Sequence, residues 1–226
     1  GRPYAERASA EPGRLRIGLM PDNHRVENHP DCEAAVRRTA DLLSDLGHEV
    51  VESRPEAFTH VGVVKDLVQA FNVHWRAGAV SSMATLGRQL GRPVTAEDVE
   101  PGTWAMAEAG RGVTGPEFLQ AEATMGRWRR ELATWWEDFD ILLTPTTSQP
   151  APRLGELSPT EDEPLRGSKR SVPYSVYTSP FNTSGQPAIS LPAGFSDGLP
   201  VATQLVGAYG REDVLLAVAG QLERCL

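Results

Sequence analysis

A chain of 226 residues, 40% hydrophobic and 23% charged, has the composition of a folded globular protein, which excludes a disordered chain. Thirty acidic against 22 basic residues give a net charge of −8, which argues against a general nucleic-acid binder. No apolar run approaches the length of a membrane span, and two cysteines, Cys32 and Cys225, are too few for a disulfide framework, so a soluble cytoplasmic protein is expected.

Residues 1–13 are polar, carry Pro3, Pro12 and Gly13, and read as a linker or tail. Leu15–Met20 is a strand candidate closed by Pro21 and Asp22. Pro30 then stands at a first helical position, with Asp31 and Glu33 in the first turn, where acids suit the helix dipole. Cys32, Ala35, Val36, Thr39, Leu43 and Leu46 recur at three- and four-residue steps, and Gly47 is placed to end the helix. His48–Glu52 is a second strand, which completes a βαβ unit with parallel strands. A helix is predicted over 61–79 from Val64, Leu67, Val68, Phe71 and Trp75. Another is predicted over 115–136, where Thr114 and Glu117 form a start signal and Phe118, Ala121, Met125, Trp128, Leu132, Trp135 and Trp136 share a face. Phe139–Thr144 is a nearly continuous apolar run, the pattern of a strand buried on both faces. Residues 145–179 are proline-rich and read as a long loop. Two apolar runs, 188–191 and 200–206, flank a turn and predict an antiparallel hairpin; a helix follows from about Gly210 to Glu223.

Several strings suggest chemistry. Gly194-Phe195-Ser196-Asp197-Gly198 matches the G-x-S-x-G nucleophile motif, which needs a strand before it and a helix after it. A strand-like run lies on each side here, so a hairpin turn explains the string better. His24, His29, Asp22 and Asp31 crowd the first loop without metal-ligand spacing on one helix face, and read as solvated. His60 and His74 fall in or near a long helix, and Glu161 and Glu163 lie in a polar loop; both pairs fit ordinary core or surface roles. No glycine-rich phosphate motif follows the first strand.

The C-terminal third carries something more specific. Phe181-Asn182-Thr183-Ser184-Gly185-Gln186-Pro187-Ala188-Ile189-Ser190-Leu191-Pro192, then Gly198-Leu199-Pro200-Val201-Ala202-Thr203-Gln204-Leu205-Val206-Gly207, resembles the C-terminal part of the amidase signature enzymes. Glu212-Asp213 with the closing helix, the Phe139–Thr146 segment and the Leu15–Glu52 unit resemble further segments of that family, in the family's order.

The resemblance implies an α/β fold, part of a mixed β-sheet flanked by helices on both faces. Residues 14–226 would form the C-terminal portion of the domain: a βαβ unit over 14–54, a helical middle over 56–137 and a sheet-completing part over 138–226. The family hydrolyses C–N bonds with a serine nucleophile, a second serine bridging through a cis peptide, and a lysine base. All three belong to a Gly/Ser-rich region that has no counterpart here. Only Lys65 and Lys169 are lysines, and neither fits the catalytic one. The implied function is therefore to complete an amidase that cleaves a small aryl or alkyl amide or carbamate, with no cofactor and with an N-terminal half as partner. The chain alone is expected to be inactive. The family's acyl-side pocket makes Phe71, Asn72, Trp75, Tyr174, Phe181 and Asn182 the implied substrate-binding residues, while Gly185 is expected at positive φ. Two other readings stand beside it: a non-catalytic small-molecule binding module derived from an amidase, and a hydrolase using Ser196.

Overall fold

The computed structural model describes residues 4–59, 61–160 and 162–225, so His60 and Glu161 lie outside the described residues. Two units emerge: a sheet unit of residues 1–58, 131–151 and 173–226, and a helical unit of residues 59–130 and 152–172.

In the sheet unit, β1 (Arg16–Leu19) leads through α2 (Pro30–Asp45) to β2 (Glu49–Glu52), after a short α1 (Tyr4–Arg7). Both ends of α2 are built as its sequence dictates. Pro30 occupies the first turn, where its missing N–H costs nothing, and His29 Nδ1 accepts from the Asp31 amide at 3.3 Å. At the other end His48 N donates to Leu43 O and Gly47 N to Ser44 O, a Schellman pair that needs Gly47 at its φ of +94°. β3 (Ile141–Pro145), β4 (Ala188–Ser196), β5 (Leu199–Gly207) and α9 (Glu212–Glu223) complete the unit, together with α7 (Val172–Ser175) and α8 (Ser179–Ser184).

The strand order is β2-β1-β3-β5-β4. β1 runs parallel to β2 and β3, while β5 is antiparallel to β3 and β4, so the sheet is mixed. Alternation sorts the side chains between two faces. Ile17, Leu19, Ile141, Leu143 and Leu205 pack with Val36 and Leu43 of α2 and Val218 of α9 in one cluster. On the opposite face Gly18 leaves no room for a Cβ beneath the Trp135 indole, and Gln204 meets the α7–α8 segment. Helices therefore cover both faces, and every residue of β3 is buried.

The hairpin turns through Asp197 (φ +48°) and Gly198 (φ +80°), the two positive-φ positions of a tight two-residue turn. Ser196 pairs with Leu199 and is 4% exposed, so it ends a strand instead of opening a helix. β4 runs to Ser196, beyond the 188–191 expected, because a bulge between Pro192 and Gly194 absorbs residues that read as strand breakers. Residues 1–13 are expected as a linker or tail; of the described part, α1 packs on α9, and Glu11 pairs with Arg224 at 3.2 Å.

The helical unit holds α3 (Val61–Leu90), α4 (Pro101–Gly110), most of α5 (Gly115–Thr134) and α6 (Arg166–Arg170). α3 extends eleven residues past the predicted end, since Gly78, Ser81, Ser82, Ala84 and Gly87 dilute its apolar pattern without breaking it. α5 begins in a capping box: Glu117 N donates to Thr114 Oγ1 at 3.3 Å, and Thr114 N donates to Glu117 Oε2 at 2.8 Å. Ala121, Met125 and Trp128 form its buried face. The His74 ring stacks on Phe118 at 5.3 Å, and its Nε2 lies 3.2 Å from Glu122. Among the described residues no helix is long and apolar enough to cross a membrane.

Candidate functional site at the strand ends

β1 and β3 are parallel neighbours whose connections part company. From β1 the chain goes through α2 to β2 on one side, while β3 lies on the other. The carboxyl ends at such a topological switch point are where open α/β sheets place their ligands. A polar cluster occupies this position, all of it within the sheet unit.

Asp22 follows β1 and Arg54 follows β2. They pair bidentately, Arg54 Nη2 donating to Asp22 Oδ2 at 2.9 Å and Nη1 to Oδ1 at 3.2 Å. Hydrogen bonding from the guanidinium holds the Asp22 carboxyl below its ordinary pKa, against the opposing push of partial burial. His24, at φ +56°, brings Nδ1 to 2.7 Å from the same carboxylate.

Deeper in, Asn28 Nδ2 donates to Pro21 O at 2.7 Å, and the Tyr177 hydroxyl donates to Asn28 Oδ1 at 3.0 Å. Tyr177 is 1% exposed, and burial pushes its phenol pKa up, so it stays a neutral donor. Gln204 of β5 donates through Nε2 to Thr144 Oγ1 of β3 at 3.1 Å and to Tyr177 O at 3.0 Å. Ser148 Oγ donates to Pro173 O at 2.9 Å, and its carbonyl accepts from His29 N at 2.7 Å. Buried polar groups are tolerable when paired in this way, and the pairing fixes their geometry. The solvent side offers Asp22, His24 and the Thr146–Ser190 hydroxyl pair, 2.9 Å apart. The cluster can thus orient a polar ligand group. Among the described residues no three His, Cys, Asp or Glu side chains are grouped to hold a metal ion.

The six substrate-binding residues named from the sequence fall into two groups. Phe71, Asn72 and Trp75 belong to α3 in the helical unit, where Phe71 and Trp75 pack ring against ring at 5.4 Å and Trp75 is 57% exposed. Tyr174, Phe181 and Asn182 belong to the sheet unit; Phe181 is buried edge-on to Phe58 at 6.1 Å, and Asn182 is exposed. Gly185 caps α8 at φ +81°, as its place in the sequence motif led one to expect. Lys65 and Lys169 are both exposed. Sequence reasoning missed the roles of Arg54, Asn28 and Tyr177. Their one local signal was a strand closed by proline and followed by Asp22 and Asn23, without any sign of their distant partners.

Comparison with known proteins follows this architecture. Residues 1–216 match the family model described as Amidase. The 6-aminohexanoate-cyclic-dimer hydrolase of Pseudomonas sp. (strain NK87) is 38% identical over 234 residues, covering 100% of this chain and 47% of that protein. The putative amidase AmiC of Mycobacterium bovis is 30% identical over 223 residues, covering 98% and 45%. The solved structure of 6-aminohexanoate cyclic dimer hydrolase aligns with a TM-score of 0.90 at 38% identity, covering 100% of this chain and 48% of that one. The chain spans about half the length of the curated relatives it matches. With a family match over most of its residues and a mixed sheet that aligns with a solved relative throughout, the chain belongs to the amidase family.

Proposed function

We propose that these residues form the C-terminal portion of an amidase signature hydrolase acting on a small aryl or alkyl amide or carbamate. The alignment of the whole chain with 6-aminohexanoate-cyclic-dimer hydrolase carries this reading and favours an alkyl amide, including a cyclic one. In this proposal the serine nucleophile, the second serine and the lysine base come from an N-terminal half. The nucleophile attacks the amide carbonyl, the amine leaves with a proton from the base, and water releases the acid from the acyl-enzyme. Activation needs a base within hydrogen-bond reach, and the exposure of both lysines on the helical unit supports placing it elsewhere.

The contribution of this portion is positioning. The paired cluster from Asp22 to Gln204 gives the strand ends a fixed shape. The Phe71–Trp75 ring pair with Asn72 is one proposed substrate contact, and Tyr174, Phe181 and Asn182 are another.

The test is a panel of chromogenic amides and esters, with 6-aminohexanoate cyclic dimer added, run on the full-length protein. Turnover is expected, and it should vanish when the serine of the Gly/Ser-rich region becomes alanine and survive Ser196→Ala. Loss of turnover in Ser196→Ala would revive the nucleophile-elbow reading. Saturable amide binding without turnover would favour the binding module.

A further inference from the structure

A cavity of about 150 Å³ lies on the α2 side of the β4–β5 hairpin. Arg38, Thr39 and Leu42 of α2, Leu191 of β4, Thr203 of β5 and Leu222 of α9 line it. All belong to the sheet unit. A leucine-lined space of this order accommodates a guest about the size of a benzene ring.

Two polar groups on its wall have capacity to spare. Thr203 is 1% exposed, and its Oγ1 has no hydrogen-bond partner among the described residues. Buried hydroxyls are normally paired, and this unpaired one belongs to a residue of the cavity wall. Thr39, by contrast, has already given its hydroxyl to Ala35 O at 3.0 Å. Arg38 donates from Nη2 to Ala193 O at 3.1 Å, and that carbonyl sits in the β4 bulge. A guanidinium has five N–H donors, and among the described residues no carboxylate pairs with this one. Its neighbour Arg37 is different, being held by Glu33 and Glu52 at 2.8 and 3.0 Å. The chain carries a net charge of −8, so an unpaired arginine beside an apolar cavity is a local exception to the overall field.

We propose that this cavity binds a small monocarboxylate with an apolar body, of the size of benzoate or hexanoate. The carboxylate lies against the Arg38 guanidinium, and the body fills the space among Leu42, Leu191 and Leu222. A planar guanidinium fork matches the two oxygens of a carboxylate, and the apolar walls suit a body that carries no further charge.

Benzoate, hexanoate and the neutral analogue benzyl alcohol are titrated into the full-length protein with labelled leucine methyl groups. Benzoate and hexanoate should shift the methyl resonances of Leu42, Leu191 and Leu222, and benzoate should bind roughly tenfold or more tightly than benzyl alcohol, the difference a charge-assisted hydrogen bond makes. Arg38→Gln should remove that preference and leave benzyl alcohol binding unchanged. Leu42→Trp, at a half-buried position on the rim, should abolish binding of all three. Equal affinity for benzoate and benzyl alcohol in the unaltered protein overturns the carboxylate assignment without recourse to any variant. Absence of shifts at the three leucines overturns the site, and either result leaves the amidase reading untouched.

Discussion

Asp22 and Arg54 form a bidentate ion pair that ties the segment after β1 to the segment after β2, at the open end of the sheet. Because the folded-state pKa of Asp22 is held below its ordinary 3.8, the pair stabilises the fold fully above that value. The contribution is lost as pH falls through the lower folded pKa. The Asp22 side chain is 42% exposed, so solvent screening limits its worth to about 1 kcal/mol or less. Urea denaturation of Asp22→Asn should show this deficit at neutral pH, and the gap to the unaltered protein should close on acidification. A deficit independent of pH would mean that the pairing is not its cause.

Gln204→Leu should cost more. The substitution keeps the volume but strips the donor from Tyr177 O and Thr144 Oγ1, inside a part of the sheet without access to water. An abandoned buried acceptor costs about 1–3 kcal/mol, so the urea midpoint should drop with the slope unchanged. Tyr177→Phe, which takes the hydroxyl away from Asn28 and Pro21 O, should cost about 1 kcal/mol.

Gly18→Ala tests the packing of the opposite face. The Trp135 ring occupies the space a Cβ would need, and that ring is itself stacked on Phe139 at 4.3 Å and bonded through Nε1 to Ser53 Oγ. Overpacking of this kind costs about 1–3 kcal/mol. The displaced indole should also change its fluorescence, which a mere loss of backbone freedom would not produce.

Lys65→Ala and Lys169→Ala should each leave turnover of the full-length protein within about twofold, the usual range for exposed side chains. A collapse of turnover in either, with folding intact, would move the base into this chain and undo the proposed division of labour.

The 226-residue chain on its own should self-associate. Within the described sheet β4 pairs only with β5, and one edge of its backbone is unused. Pro192 and the adjacent bulge blunt the outer half of that edge, so residues 188–191 are the adhesive part. Light scattering should rise with concentration, and Ala188→Lys, at an exposed edge position, should lower it. A compact monomer that binds no hydrophobic dye would show that the sheet needs no covering.

What the sequence made legible was local. The α2 caps, the Thr114–Glu117 start signal and the Asp197-Gly198 turn each reside in a few adjacent residues, and each formed as read. β3 was readable because burial on both faces leaves no polar alternation. The end of α3 was obscured by small residues, and α4 has too short an apolar stripe to announce itself. The cluster at the strand ends stayed hidden for another reason. Asn28 and Tyr177 are 149 positions apart, and Gln204 and Thr144 are 60 apart. Only the strand order brings them together, and strand order is written in no single segment.

That order also sets a timetable for synthesis. Arg16 and Asp140, joined by the 2.8 Å bond beside the β1–β3 ladder, are separated by 124 residues, and residues 59–130 of the helical unit fall in the interval. β3 then waits for β5, which emerges some sixty residues later as the strand between it and β4. A ribosome therefore delivers the βαβ unit before β3 and holds it without that neighbour of β1 while the whole of α3, α4 and α5 is made. Closing so long an interval is slow compared with forming helices. During that wait the apolar residues of β1 and α2 that later share a core with β3 and β5 stay open to a chaperone.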